Sequence, residues 1–412
     1  MVRRTRAGSR ATAATALILG TSLAVSACSG TEPDTSSSGK VTRLRVLDYY
    51  NNEPDKTVYA KLLKACGREN GVTIEREVVP GSALIPKVLQ QGSSHTMPDV
   101  LMLDNPDLQQ IAATGALTPL SDYGLSADGY AKGVVDASSY RGRLYGLQPV
   151  ANTLGLFYDK DALKKAGVTP PATWRELRAA AQKLRTKDRY GVAFAAPAGY
   201  EGAFQFLPFL WSAGGDERNI ATPSAARALD LWADMVKDGS ASKSVVNWTQ
   251  ADVNDQFAAG NAAMMINGPW QFPVLDSTPG RHYGVVPVPV PRSGEGVVAP
   301  LGGETWTLPK TDNVERQKRA ARVVKCLNSD KSQLSLAERR QTVPTRTALS
   351  QRFEKQEPAM RPFVRQVRDA RARTGKLGSA WPRAALRIYT AIQSALAAGE
   401  PPARALKEAQ DG

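Results

Sequence analysis

RLRVLDYYNNEPDKTVYAKLLKACGRENGVTIEREVV, residues 43–79, holds one full cycle of a repeating architecture. RLRVLDYY reads as a strand. VYAKLLKACGREN sets Val58, Leu62 and Ala65 on one helical face, and VTIEREVV alternates apolar and polar residues as a second strand. The cycle then repeats: ALIPKVLQQG is helical, PDVLMLD is a third strand, and LQQIAATG is a helix closed by Gly115. Strands alternating with helices predict a mostly parallel sheet flanked by helices, an α/β lobe.

Further along, a second lobe begins near residue 151. TLGLFYDKDAL is a strand running into a short helix. In PPATWRELRAAAQKL, Thr173 caps a helix and Glu176 closes a capping box. FQFLPFLWSAGG, SAARALDLWADMVKDG and NDQFAAGN add helices, each ended by glycine. AAMMING and YGVVPVPVP follow as buried strands, VVAPLGGETWTLPK returns to strand, and three long basic helices finish the chain. There is no internal repeat.

The first residues bear on compartment. Arg3, Arg4, Arg6 and Arg10 precede a small apolar run to residue 27, too short to span a bilayer as a mature helix. Val25-Ser26-Ala27-Cys28 looks like a lipobox, so residues 1–27 are expected to be a lipoprotein signal peptide with Cys28 as the lipidated residue. SGTEPDTSSSGK then gives 28–40 the composition of a flexible tether. The expected location is the extracellular face of the cell membrane. Roughly 370 residues remain, which suggests two domains.

The formal charge of +14 falls to +10 without the four arginines of the signal. The remaining basic residues are dispersed on helical faces beyond residue 310 with acids between them. They read as solvated surface, and no nucleic-acid partner is expected. Besides Cys28 only Cys66 and Cys326 occur; outside the cell they can form a disulfide or remain two buried thiols. His95 and His282 are the only histidines, in no metal-ligand spacing, and there is no nucleophile elbow, phosphate loop or dinucleotide fingerprint. No cofactor, metal or catalytic residue is expected. Asp48, Glu53, Asp104, Glu201, Asp216 and Glu304 lie near strand ends or loops. Two of them converging would suit a glycosidase, and a sugar receptor would use the same groups to accept hydroxyl hydrogens.

Six stretches, in order, carry a resemblance: PDVLMLDNPDLQQIAATGALTPLSD, YGLQPVANTLGLFYDKDALKKAGVTPPATWREL, ALDLWADMVKDG, FAAGNAAMMINGPW, YGVVPVPVP with LGGETWTLPK, and the closing ALKEAQ. Together the chain resembles the extracellular solute-binding proteins of family 1, the maltose-binding-protein-like receptors of carbohydrate ABC importers. The resemblance implies a two-lobed type II periplasmic-binding-protein fold with discontinuous α/β lobes, joined by hinge crossings near 150–153, 297–301 and 334–345. The N-terminal lobe would combine 41–150 with 300–335, and the C-terminal lobe 151–299 with 336–412. The cleft between them would hold a sugar or oligosaccharide for delivery to an ABC permease, by a monomer held at the membrane through its lipid. Other small solutes on the same fold (a sugar phosphate, a polyol, a polyamine) and a secreted glycosidase-type enzyme are the alternatives.

A sugar offers a C–H face to an aromatic plate and a rim of hydroxyls to charged groups. By the resemblance, Trp270, held after Asn267-Gly268-Pro269, is the stacking plate and Trp381 a second one. Glu304 is the hydroxyl acceptor after Gly302-Gly303, and Trp306 shares its strand face. Asn152 falls at a hinge contact that is a carboxylate in maltose-binding relatives. Asp104 and Asn105 follow the third strand, with Leu103 where some relatives have an aromatic. Tyr50, Asn51, Asn52 and Glu53 follow the first strand, and Glu201 and Phe204 stand beside Tyr200 in the second lobe.

Overall fold

The computed structural model describes residues 41–412, and the expected signal peptide, Cys28 and tether lie outside them. Within the described residues no helix is long and apolar enough to cross a membrane. The strand Arg43–Asp48 buries Leu44, Val46 and Leu47 and runs parallel to Thr73–Val78, from Arg43 opposite Thr73 to Asp48 opposite Val78. The helix Asp55–Glu69 connects them. It lies so close to the second strand that a Cβ on Gly67 would stand 2.7 Å from Ile74 Cγ1, which explains the glycine inside a helix. Val100–Asp104, apolar on both faces, adds on the other side of the first strand, as a buried parallel strand should.

The next strand of that sheet comes from 200 residues away. Glu304–Pro309 runs antiparallel to Val100–Asp104, with Glu304 opposite Asp104 and Trp306 opposite Met102, and it also pairs with Leu117–Thr118 and Gly146–Leu147. The first lobe is therefore discontinuous in sequence. Cys66 and Cys326 are bridged, with Cα atoms 5.7 Å apart, so the disulfide joins the helix Asp55–Glu69 to Val314–Leu327 inside this lobe.

In the second lobe Gly155–Asp159 is flanked by Met264–Asn267 and Tyr283–Pro287, both antiparallel to it. Met264–Asn267 is fully buried, but Tyr283–Pro287 is not the buried strand its sequence suggests. It forms the outer strand of its sheet and is half-buried along most of its length. Trp232 sits at the centre of the helical part, its ring 4.4 Å from Phe194 and 5.1 Å from Phe206. The capping box of Thr173 and Glu176 is formed in full.

The chain beyond residue 310 breaks into six helices rather than three: Val314–Leu327, Asp330–Arg340, Thr347–Gln356, Arg361–Arg368, Trp381–Leu396 and Pro402–Asp411. Each break has a local cause, such as the Ser329 cap on the second and the left-handed Gln341 that ends it. Residue 335, the expected lobe boundary, lies inside Asp330–Arg340, a helix that packs with the first-lobe core through Leu336 and Ala337. Trp381–Leu396 and Pro402–Asp411 contribute to the second core.

Candidate functional site

Four separate segments lie side by side where the lobes meet. Val150–Ala151 pairs with Val343–Pro344, and Asn152 pairs with Gly302 through two backbone bonds of 3.2 and 2.9 Å. Leu301 N donates to Arg371 O at 2.9 Å, and Thr153 Oγ1 donates to Pro300 O at 2.7 Å. Buried Gln148 ties these strands together, its Nε2 donating to Val150 O and Gly302 O at 3.0 and 2.9 Å. The packing leaves no room for side chains at the glycines. A Cβ on Gly302 would meet Asn152 Oδ1 at 2.0 Å and Phe204 Cζ at 3.0 Å, and Gly303 has a φ of 114°.

Above this floor stand the ends of the first-lobe strands. At one corner Asp104 receives both terminal nitrogens of Arg373, one at 3.0 Å, while Arg373 Nη2 also reaches Asn105 Oδ1 at 3.2 Å. The guanidinium lies 5.0 Å over the ring of Phe204, which comes from the second-lobe helix Tyr200–Ser212. Asn105 is buried and donates toward Gln148 and Leu301 O. Asp107 is buried beside them, and burial together with the charge of Asp104 pushes its carboxyl up to about 8.

At the neighbouring corner Glu304 accepts from Tyr49 Oη at 2.7 Å and from Tyr50 Oη, with Arg340 Nη1 at 3.9 Å. Burial raises the Glu304 carboxyl above its ordinary range and both phenols well above theirs, so the tyrosines stay neutral donors. Arg340 forms a two-point bond to Asp55 at 2.8 and 2.7 Å and donates to Tyr59 Oη at 3.0 Å. Its plane lies 4.7 and 5.0 Å from the rings of Tyr50 and Tyr59, which stack on each other at 4.0 Å. The two corners share one end of the sheet, because Glu304 and Asp104 are register partners on adjacent interior strands.

On the second-lobe side, buried Met264–Asn267 ends at Asn267, whose Oδ1 accepts from the backbone N–H of Gly268 at 2.9 Å. Pro269 opens a short 3₁₀ turn and Trp270 follows it, half-buried. The indole folds back over Gly268, where an added Cβ would sit 1.8 Å from Trp270 Cζ3. Glu201 accepts from the backbone N–H of Gln250 at a helix start, and Gln250 O accepts from Asn267 Nδ2 at 2.8 Å, so Glu201 and the Trp270 turn belong to one polar chain.

The structure thus brings Asp104, Asn105, Asn152 and Phe204 together, sets Tyr50 and Glu304 beside them, and places Trp270 and Glu201 on the second lobe. Two expected ligand contacts are corrected. Trp306 has no exposed surface; it shares Glu304's face but lies two residues deeper, 5.9 Å from Tyr59. Trp381 is also fully covered, at the start of its helix in the second-lobe core, edge-on to Tyr200 at 6.3 Å. Asn51, Asn52 and Glu53 are exposed, and Glu53 accepts from Thr57 N and Oγ1 at the start of a helix.

Arg340, Arg373, Tyr49, Gln148 and Asp107 were absent from the sequence reading. The arginines looked like solvated helix surface, yet both are buried. A signal did exist for Arg373: it falls in the glycine-containing stretch after Arg361–Arg368, outside any helix. Both oxygens of Asp104 are held by Arg373, and Glu304 is held by two phenols. His282 lies exposed beside Asp161. Among the described residues no group of His, Cys, Asp and Glu could hold a metal ion.

Comparison with known proteins gives a consistent set. Residues 61–362 match the family described as bacterial extracellular solute-binding protein. A Brucella abortus protein named as a binding protein is 28% identical over 272 residues, 63% of this chain and 65% of its own, slightly under two thirds of that relative's length. A maltooligosaccharide ABC transporter solute-binding lipoprotein of Streptococcus pneumoniae is 25% identical over 358 residues, covering 81% of this chain and 80% of its own. The structure of maltose-bound T. maritima MalE3 superposes with a TM-score of 0.80 at 24% identity, covering 90% of this chain and 98% of that one, which establishes the shared two-lobed fold.

Proposed function

The chain belongs to the bacterial extracellular solute-binding proteins, and from that premise we propose that its interlobe cleft captures a sugar or oligosaccharide for delivery to an ABC permease. The observation that carries this reading is the convergence at one end of the first sheet of oriented acceptors and phenols, Asp104, Glu304, Tyr49 and Tyr50, with aromatic Phe204 and Trp270 on the second lobe. Strand ends between lobes are where such ligands collect, because loops there leave polar groups free to converge. Trp270 is the proposed plate for a sugar face, and Glu304 and Asp104 are the proposed hydroxyl acceptors. Closure around the sugar shifts an open–closed equilibrium that the permease reads. The proposed protein acts as a monomer, carries its lipid on Cys28 at the outer face of the membrane, and performs no covalent chemistry. The naming of the pneumococcal relative as a solute-binding lipoprotein supports the anchor.

Calorimetric titration against neutral mono- and oligosaccharides tests the reading, with the same tubes assayed for products. Saturable heats without turnover are expected. Hydrolysis products would replace the receptor with an enzyme, and binding of polyamines or polyols alone would replace the sugar.

A further inference from the structure

The first-lobe helices Asp55–Glu69 and Val314–Leu327 each turn a row of cations to solvent. Lys61, Lys64 and Arg68 recur at helical spacing on the first, and Lys318, Arg322 and Lys325 on the second; all six are exposed. The disulfide brings the rows together. Its Cα atoms are 5.7 Å apart, Lys64 and Arg68 flank Cys66 in sequence, and Lys325 adjoins Cys326. Among the described residues, only Arg322 of the six has an ion-pair partner, Glu315 at 3.9 Å, and Arg319 holds the same carboxylate at 2.9 Å. Glu69 is the other exposed acid beside the bridge, its Oε2 3.6 Å from Cys326 Sγ. Like charges one helical turn apart, such as Lys64 with Arg68 and Lys318 with Arg322, repel each other. The bridge holds them together, and a counter-charge from outside the chain would relieve the repulsion.

The place of this patch in the chain identifies its partner. Thr42 O accepts from Thr73 N at 2.8 Å, and Gly67 O accepts from Val72 N at 2.9 Å, so the turn after Arg68 abuts the point where the described chain begins. The thirteen residues from Cys28 to Lys40 span at most about 45 Å. Resting on the reading of Cys28 as the lipid-bearing residue, we propose that this patch is a docking surface for anionic membrane lipid, which seats the anchored receptor with its cleft turned away from the bilayer. The strand Arg43–Asp48 leads from the patch end of the sheet to the cleft end, about 17 Å away. Lys64 and Arg68 also rim a groove of about 350 Å³ floored by Leu63, Val72 and Ile74. A phospholipid suits that combination, offering phosphate to the cations and glycerol with its first methylenes to the floor. A soluble polyanion has nothing for the floor. Each cation held at an anionic leaflet strengthens attachment by about fivefold, so the seat is a sum of weak contacts that a permease can replace one by one.

The test uses the chain from residue 28 onward with Cys28→Ser, so that no lipid on the protein contributes, and with its disulfide intact. It is sedimented with vesicles of phosphatidylcholine alone or with about one third phosphatidylglycerol, and binding at least about tenfold tighter to the anionic vesicles is expected. Raising sodium chloride from about 0.05 to about 0.5 M should release it. Replacing Lys64, Arg68 and Lys325 together by Gln should weaken binding by at least about tenfold, and the same change at the exposed second-lobe residues Lys164, Lys165 and Lys183 by less than about threefold. If the triple variant does not fold, Lys64→Gln and Lys325→Gln singly take its place, each expected to weaken binding about fivefold. Equal binding to both vesicles, or to neither, overturns the proposal. An unchanged patch variant overturns the assignment of the surface, and retention on immobilised polyphosphate without vesicle binding overturns the choice of lipid. Mass spectrometry of the full chain extracted from membranes reports the lipid on Cys28 separately; its absence overturns the anchor while the vesicle series still decides the surface.

Discussion

Arg340→Met separates a buried structural cation from a solvated surface arginine. Methionine keeps much of the aliphatic stem and removes only the charge and its donors. Arg340 is 4% exposed, its partner Asp55 26% and Glu304 11%. Removing one partner of a buried ion pair typically costs about 3–5 kcal/mol, because the other charge stays desolvated. Asp55 is a quarter exposed and water screens part of its loss, which places the expected cost near the lower end, about 3 kcal/mol. Two stacked cation–π contacts, to Tyr50 and Tyr59, are lost in the same step. Urea denaturation followed by tryptophan fluorescence is the assay. With an m-value on the order of 3 kcal/mol per molar, the midpoint should fall by about 1 M. Adding Asp55→Asn to Arg340→Met should recover part of the loss, and the double-mutant cycle should give a coupling of at least about 1 kcal/mol. A midpoint shift below about 0.3 M with no coupling would refute the reasoning, and Arg340 would be the surface residue its sequence setting implies.

Trp270→Ala should weaken sugar binding by about 1–3 kcal/mol with little change in the unfolding midpoint; unfolding with unchanged affinity in the surviving fraction would make it a core residue. Gly268→Ala should weaken binding in the same direction by displacing the indole that lies over it, as calorimetry would show. Replacing Cys66 and Cys326 together by Ser should cost about 2–4 kcal/mol in denaturant titrations, because the bridge closes a loop spanning 260 residues. Asp107 links stability to pH. Its carboxyl rises from an ordinary 3.8 to about 8 under burial and the nearby Asp104, against the opposing effects of Arg373 and Tyr200. A raised native value means its contribution is fully present below about pH 4, declines as pH rises to about 8, and is flat beyond. The unfolding midpoint should fall from pH 5 to pH 8 more steeply in the parent protein than in Asp107→Asn.

The α/β alternation of residues 43–79 was legible because each element shows its own period within a few residues. So was the Thr173 capping box, which depends on a spacing of three. What the sequence concealed depends on distant partners. Arg340 is buried by Asp55, 285 residues away, and Arg373 by Asp104, 269 away, so local helical periodicity could only place them in water. Trp306 shows a different limit: strand parity correctly put it on Glu304's face, but only the position along the strand separates the cleft end from the interior. The resemblance alone placed a second plate at Trp381, and the helices that cover it come from elsewhere in the sequence.

The place of Glu304–Pro309 between Val100–Asp104 and Leu117–Thr118 also sets an order of assembly. As the chain emerges vectorially, the first sheet has a gap at its centre until residue 309 appears. Every element from residue 155 to 299 emerges before that gap is filled. At about 5–20 residues per second, the roughly 200 residues after Val100–Asp104 take on the order of 10–40 s to appear. During that interval the apolar strand Val100–Asp104 has an open edge. The sheet whose sequence starts first therefore stays incomplete while residues 155–299 emerge, and a chaperone or export factor has an extended opportunity to hold the chain at that exposed edge.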